Sequence, residues 1–117
     1  MSTITCLRTY RLPDRPSLIW LELETDDGLT GLGETFRGAA SVETCLHEEL
    51  APWLLGRDAR HIEGISRHLL TPYVGYNGSG VEVRSASAID IALWDLAGQR
   101  QGVPVYQALG GGARSSV

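Results

Sequence analysis

The chain has 117 residues, 43% of them hydrophobic and 21% charged, with a formal net charge of −4. That length holds one domain of ordinary size, and the composition is that of a globular fold, neither disordered nor fibrous. The acidic balance argues against a nucleic-acid partner, and the complete absence of Lys excludes Schiff-base, lysine-base and phosphate-loop lysine chemistry.

Residues 3–10 are short and β-rich and are predicted as a strand. Residues 12–16 contain two prolines and an Asp, which predicts a loop. Over residues 17–25, Ile19, Leu21 and Leu23 alternate with Trp20, Glu22 and Glu24, the period of a sheet with one wet face. Asp26-Asp27-Gly28 is a hairpin signal, and residues 29–35 return as a third strand. Gly31 and Gly33 share one face of it, where another backbone or side chain can approach closely. Residues 36–40 form a second loop. Ser41 is a candidate N-cap for a helix over 42–50, which Pro52 ends or kinks and Gly56 closes. Asp58 is the expected cap of a helix over 59–70, with Ile62, Ile65 and Leu69 on one face.

Residues 71–80 form a loop rich in Gly and Tyr. A long helix is then predicted from about Val83 to Gln101, with Gly102 as its left-handed cap and Pro104 preventing continuation. Pro104 suits the first turn of a short helix through Leu109, stopped by Gly110-Gly111-Gly112. The long helix is apolar almost all round, so it needs partners on both sides. The order β-β-β-α-α-α predicts an α+β fold, a three-stranded antiparallel meander followed by a helical bundle.

Few constellations carry chemistry. Gly31-Leu32-Gly33 lacks the third glycine of a dinucleotide fingerprint, position 36 being Phe, and the glycine run at 110–112 follows a helix and has no Lys. His61 and His68 are seven apart, not the three or four usual for metal ligands on one helix, and His47 lies four after Glu43, an ordinary side-chain pair. Cys6 and Cys45 are too few for a disulfide framework and are expected as reduced thiols. Asp90 and Asp95 lie about 140° apart on the helical wheel. They are not a carboxylate pair, and the structural role, accepting hydrogen bonds that hold segments in place, is preferred for both. Glu34 sits at a strand end before a loop, a position from which it can reach a neighbouring site. No run approaches the ~20 apolar residues of a membrane span, and the N-terminus lacks the apolar core of a signal peptide, which predicts a cytoplasmic protein.

Three pieces occur in order: LELETDDGLTGLGET at 21–35, ELAPWLLGRDARHIE at 49–63 and SAIDIALWDLAGQRQGVPVYQALGG at 87–111. Together the sequence resembles the N-terminal capping domain of the mandelate racemase/muconate lactonizing enzyme group of the enolase superfamily. The resemblance implies an enolase N-terminal-domain-like fold over residues 1–112, with 113–117 starting a linker to a (β/α)₈ barrel that this chain does not contain. It implies a longer enzyme whose barrel holds Mg²⁺ and abstracts the proton next to a substrate carboxylate, as a racemase, acid-sugar dehydratase or cycloisomerase. No catalytic residue and no metal ligand of that barrel can be placed here, so the fragment alone is expected to bind no Mg²⁺ and to be inactive.

The resemblance also implies two substrate-closing loops, at residues 11–17 and 36–40, with the segment 73–80 as part of the same rim. Arg15 and Arg37 are then candidates to meet a substrate carboxylate, Phe36 to seal the site against water, and Glu34 and Tyr76 to line it. Asp90, Asp95, Gly102 and Pro104 are assigned structural roles. The implied partners are the missing barrel and a small carboxylate substrate, in a homo-oligomer, with no membrane. A stand-alone, self-associating module without catalysis is the alternative, and an exposed apolar patch is expected on the isolated chain.

Overall fold

The structure, a computed structural model, describes residues 2–71 and 80–115. Three antiparallel strands, β1 (Ile4–Leu12), β2 (Arg15–Thr25) and β3 (Thr30–Phe36), form a meander in the order β1-β2-β3. The alternation seen in β2 decides which face is packed. Ile19, Leu21 and Leu23 are at most 1% exposed, while Trp20, Glu22 and Glu24 lie on the more open face. Burying each of these three aliphatic side chains stabilises the fold by roughly 2 kcal/mol.

The turn between β1 and β2 is tighter than expected. Leu12 pairs with Arg15, so the anticipated loop over residues 11–17 shrinks to a tip at Pro13 and Asp14. Pro16 is tolerated inside β2 because β3 begins its pairing only at Leu18, opposite Phe36. The missing N–H therefore falls where no ladder bond to β3 is due.

After β3 the chain runs through α1 (Ala39–Thr44), a π-helical turn (Cys45–Leu50) and α2 (Ala51–Leu54). The cap is Gly38 in the left-handed region, not Ser41, and the helical path continues past residue 50. Pro52 explains the wide turn. A proline in a regular α-helix clashes with the carbonyl four residues back. Here the Ala51 N–H reaches the carbonyl of Leu46, five residues back, and that widening admits the ring. Gly56, at φ 90°, then turns the chain.

Asp58 does not cap a helix, contrary to the expectation from sequence. Its Oδ1 accepts from the Arg60 N–H and its carboxylate pairs with the Arg60 guanidinium. The backbone around it is meanwhile taken by the start of the chain. Ile4 N–H donates to the Arg57 carbonyl, Gly56 N–H to that of Ile4, and Ala59 N–H to that of Ser2. With residues 56–59 held as a stitch along the first residues of β1, α3 (Ile62–Leu70) starts later than anticipated.

Helix α4 (Val81–Gln101) ends at Gly102, which adopts φ 69° as its C-cap. Pro104 precedes α5 (Val105–Ala108) as its N-cap, one position earlier than the first turn anticipated for it. The sheet covers one side of α4 and α3 the other, so the chain itself supplies most of the partners this apolar helix needs. Ala88, Ile89, Ala92, Leu93 and Leu96 are at most 1% exposed. The two β3 glycines make the close approach. A Cβ on Gly33 would stand 2.0 Å from the Ala88 carbonyl oxygen, and one on Gly31 2.4 Å from that of Ala92. The helix backbone thus rests on the strand backbone, a contact no side chain permits.

Candidate functional site

Two features of the surface are built rather than incidental. The first is the sheet end where β1 turns into β2 and β3 passes into α1. Arg15 opens β2 there, exposed, three residues before the Leu18–Phe36 pair. Phe36 is 60% exposed at the end of β3. Arg37 follows at φ 68°, the one non-glycine residue with positive φ among the described residues. Left-handed backbone is costly for a residue with a Cβ and concentrates where a fold over-determines it. Both sides of Arg37 are indeed pinned. Its N–H donates to the Ser17 carbonyl at 2.7 Å, and its own carbonyl accepts from Arg84 Nε at 3.2 Å.

A hydrogen-bond chain ties the turn side of this rim to the helices. Arg11 Nε pairs with Glu43 Oε1 at 3.3 Å, and Thr9 donates to Glu43 Oε2 at 2.7 Å. The Thr9 oxygen is then left to accept from His47 Nε2 at 2.8 Å. The helical pair Glu43 and His47 is thus joined through a strand residue. Glu34 lies two residues before Phe36 on the same open face of β3, exposed opposite Trp20 and away from α4. Tyr76 lies outside the described residues.

The second feature is the outward face of α4. Trp94 and Asp90, both half-buried, separate two grooves. One is lined by Arg60, Ile62, Glu63 and Arg100, the other by Leu32, Ile91, Val105 and Leu109. Ile91 is 47% and Leu109 61% exposed. Asp95 lies on the sheet side of this face and is committed, its Oδ2 accepting the Leu32 N–H at 2.8 Å. Gln99 Nε2 adds a bond to the Thr30 carbonyl at 2.8 Å, so α4 also ties down the open edge of β3. Trp94 was not singled out from sequence. The signal was present: Ile91 and Trp94, three apart on a helix, share a stripe with Asp90.

The other titratable groups serve the scaffold. His68 stacks on Trp53, ring centroids 3.7 Å apart, and the Arg57 guanidinium lies 3.9 Å from the Trp53 ring centre. The Arg60 guanidinium and backbone hold the Asp58 carboxyl well below the usual carboxylate range, and hydroxyls of Ser2 and Thr25 lower that of Asp27. Both Cys6 and Cys45 are free thiols. Among the described residues no three His, Cys, Asp or Glu side chains converge as a metal cage would require.

The sequence pattern of the mandelate racemase / muconate lactonizing enzyme N-terminal domain matches residues 11–110. The chain belongs to that family. It is 45% identical over 112 residues to a D-galactonate dehydratase of Ralstonia nicotianae, covering 92% of this chain and 28% of that one. The fold superposes with a TM-score of 0.93 and 66% identity on an enolase protein from environmental sequencing of the Sargasso Sea, covering 97% of this chain and 31% of that one. An enolase from Pantoea ananatis, solved with bound D-gluconate and Mg, gives a TM-score of 0.90 at 35% identity, covering all of this chain and 29% of its own. The chain therefore spans about a third or less of the length of these relatives, and its three-stranded sheet and helices are the family's N-terminal domain fold.

Proposed function

We propose that this domain closes the substrate site of a Mg²⁺-dependent acid-sugar dehydratase, a lyase, and that the catalytic barrel is carried by a separate or continuing stretch of protein. The observation that carries this reading is the match to a D-galactonate dehydratase over 92% of this chain but only 28% of the enzyme. The sheet end with Arg15, Phe36 and Arg37 is the closing edge. Two guanidiniums suit an aldonate carboxylate and its hydroxyls, and an exposed phenyl ring excludes water when it is covered. Asp90 faces the grooves and Asp95 holds β3, so neither Mg²⁺ ligation nor proton transfer is assigned to these two carboxylates. The metal and the base belong to the barrel.

The grooves flanking Trp94 are assigned to docking that barrel. Residues 1–112 form the closing domain, and residues 113–117 lead toward the barrel. The assembled enzyme is oligomeric and cytoplasmic in this reading. Among the described residues no helix is long and apolar enough to cross a membrane.

The test is turnover. The chain alone, with Mg²⁺ and D-galactonate or D-gluconate, is expected to give none, and the same chain combined with the barrel half is expected to dehydrate at least one of them. Turnover by the stringently purified chain alone overturns the reading. So does a chain that self-associates and never binds the barrel, which is the behaviour of a stand-alone module.

A further inference from the structure

Arg84 stands where a cation is least welcome. It occupies the first turn of α4, one turn after Gly80, and the N-terminal end of a helix carries partial positive charge. Its side chain nevertheless reaches back across 47 residues to the Arg37 carbonyl, and Nη2 lies 3.6 Å from where a Cβ of Gly38 would be. The residue it holds is the strained one. Arg37 and Gly38 are consecutive left-handed residues, each at φ 68°. With the Arg37 N–H fixed by Ser17 and its carbonyl by Arg84, the peptide planes on both sides are set, and the exposed side chain leaves the sheet end in one direction.

We propose that Arg84 is a positioning residue for Arg37. It touches no substrate. It holds the left-handed turn that presents the Arg37 guanidinium at the closing edge, and so sets affinity for the acid sugar. The substrate half of this statement rests on the function proposed above; the hold on the loop does not.

Two readouts separate the two. Trypsin cleaves after Arg37 only when that carbonyl is free to enter the protease, so cleavage of the Arg37–Gly38 bond reports the hold directly. In the chain as it stands, Arg84→Ala is expected to speed cleavage there about tenfold, the loss of one hydrogen bond from a charged donor. Cleavage after Arg60 and Arg67 should be unchanged, which rules out global unfolding, and Arg84→Lys, which keeps a donor, should recover part of the protection. In the chain combined with its barrel, Arg84→Ala is expected to raise KM about tenfold with kcat nearly unchanged, and to add little in an Arg37→Ala background. Wild-type cleavage at Arg37 in Arg84→Ala overturns the positioning role, whatever the kinetics. Faster cleavage with a KM indifferent to Arg37→Ala upholds the hold and overturns the closing-edge assignment. Additive effects of Arg84→Ala and Arg37→Ala on KM overturn the link between them.

Discussion

Helix α4 has two faces built by opposite rules. On the sheet side, Ala88 and Ala92 bring their backbone carbonyls down onto Gly31 and Gly33, and nothing larger than hydrogen fits between. On the far side of Asp90, Ile91 and Trp94, grooves stay open and large apolar side chains remain half exposed. The first face is finished within this chain, and its contacts are close enough that one carbon atom changes them. The second tolerates variation in the isolated chain, because little there is packed. A helix apolar almost all round is thus explained mostly within the chain: the sheet and α3 pack against it, and the stretch around Ile91 and Trp94 stays open.

The largest effect should come from adding a methyl group to the finished face. Gly33→Ala places a Cβ against the Ala88 carbonyl, a rigid backbone atom that cannot swing aside. Either the helix lifts from the sheet or the strand bends, at a cost of about 3 kcal/mol, the upper range for overpacking. Urea unfolding measures it. A loss below 1 kcal/mol would mean that the two backbones are not in contact.

Asp95 marks the boundary between the faces. Asp95→Ala removes the acceptor of the Leu32 N–H and is expected to cost about 1.5 kcal/mol, as for a charge-assisted bond. Its amide should then exchange faster with solvent, and an unchanged Leu32 exchange rate would separate the helix from the β3 edge. Acid should act at the other end of the finished face. There Ser2 donates to Asp27 and accepts from Arg100 of α4, beside the Asp58–Arg60 pair. Both carboxyls are lowered in the fold, so the unfolded chain binds more protons as pH falls. Their contribution is complete above about pH 5 and is lost progressively below the ordinary Asp range near 4. Asp58→Asn should flatten the fall in stability between about pH 5 and pH 2 measured by urea titration, and an unaltered slope would remove Asp58 from that account.

Local chemistry made much of this legible. The period-two alternation of residues 19–24 located the packed face of β2, and Gly102 with Pro104 located the end of α4. The pair Gly31 and Gly33 announced a close approach without saying what approached. What escaped was settled by distant partners. Asp58 looks like a cap, but strand β1 claims the backbone beside it; Ser41 looks like a cap, but the chain turns left-handed three residues earlier. The competition at Asp58 is not visible in a local window. The closing role proposed for the sheet end was reached only through the family resemblance, and the bond from Arg84 to Arg37, 47 positions apart, leaves no periodic trace.

The smallest effect should come from the open face, and it sharpens the comparison most. Ile91 is 47% exposed, against 0% for its neighbours Ala92 and Leu93. Replacing it with Gln leaves the backbone helical, since Gln is a good helix former, and forfeits little burial. Stability of the isolated chain should shift by less than about 0.5 kcal/mol. Binding of the barrel half should weaken markedly, because the same side chain becomes central once the groove is filled. The two measurements pull apart only if the faces differ as described. A large loss of stability would show that Ile91 already belongs to the core, and unchanged barrel binding would move the docking surface off this side of α4.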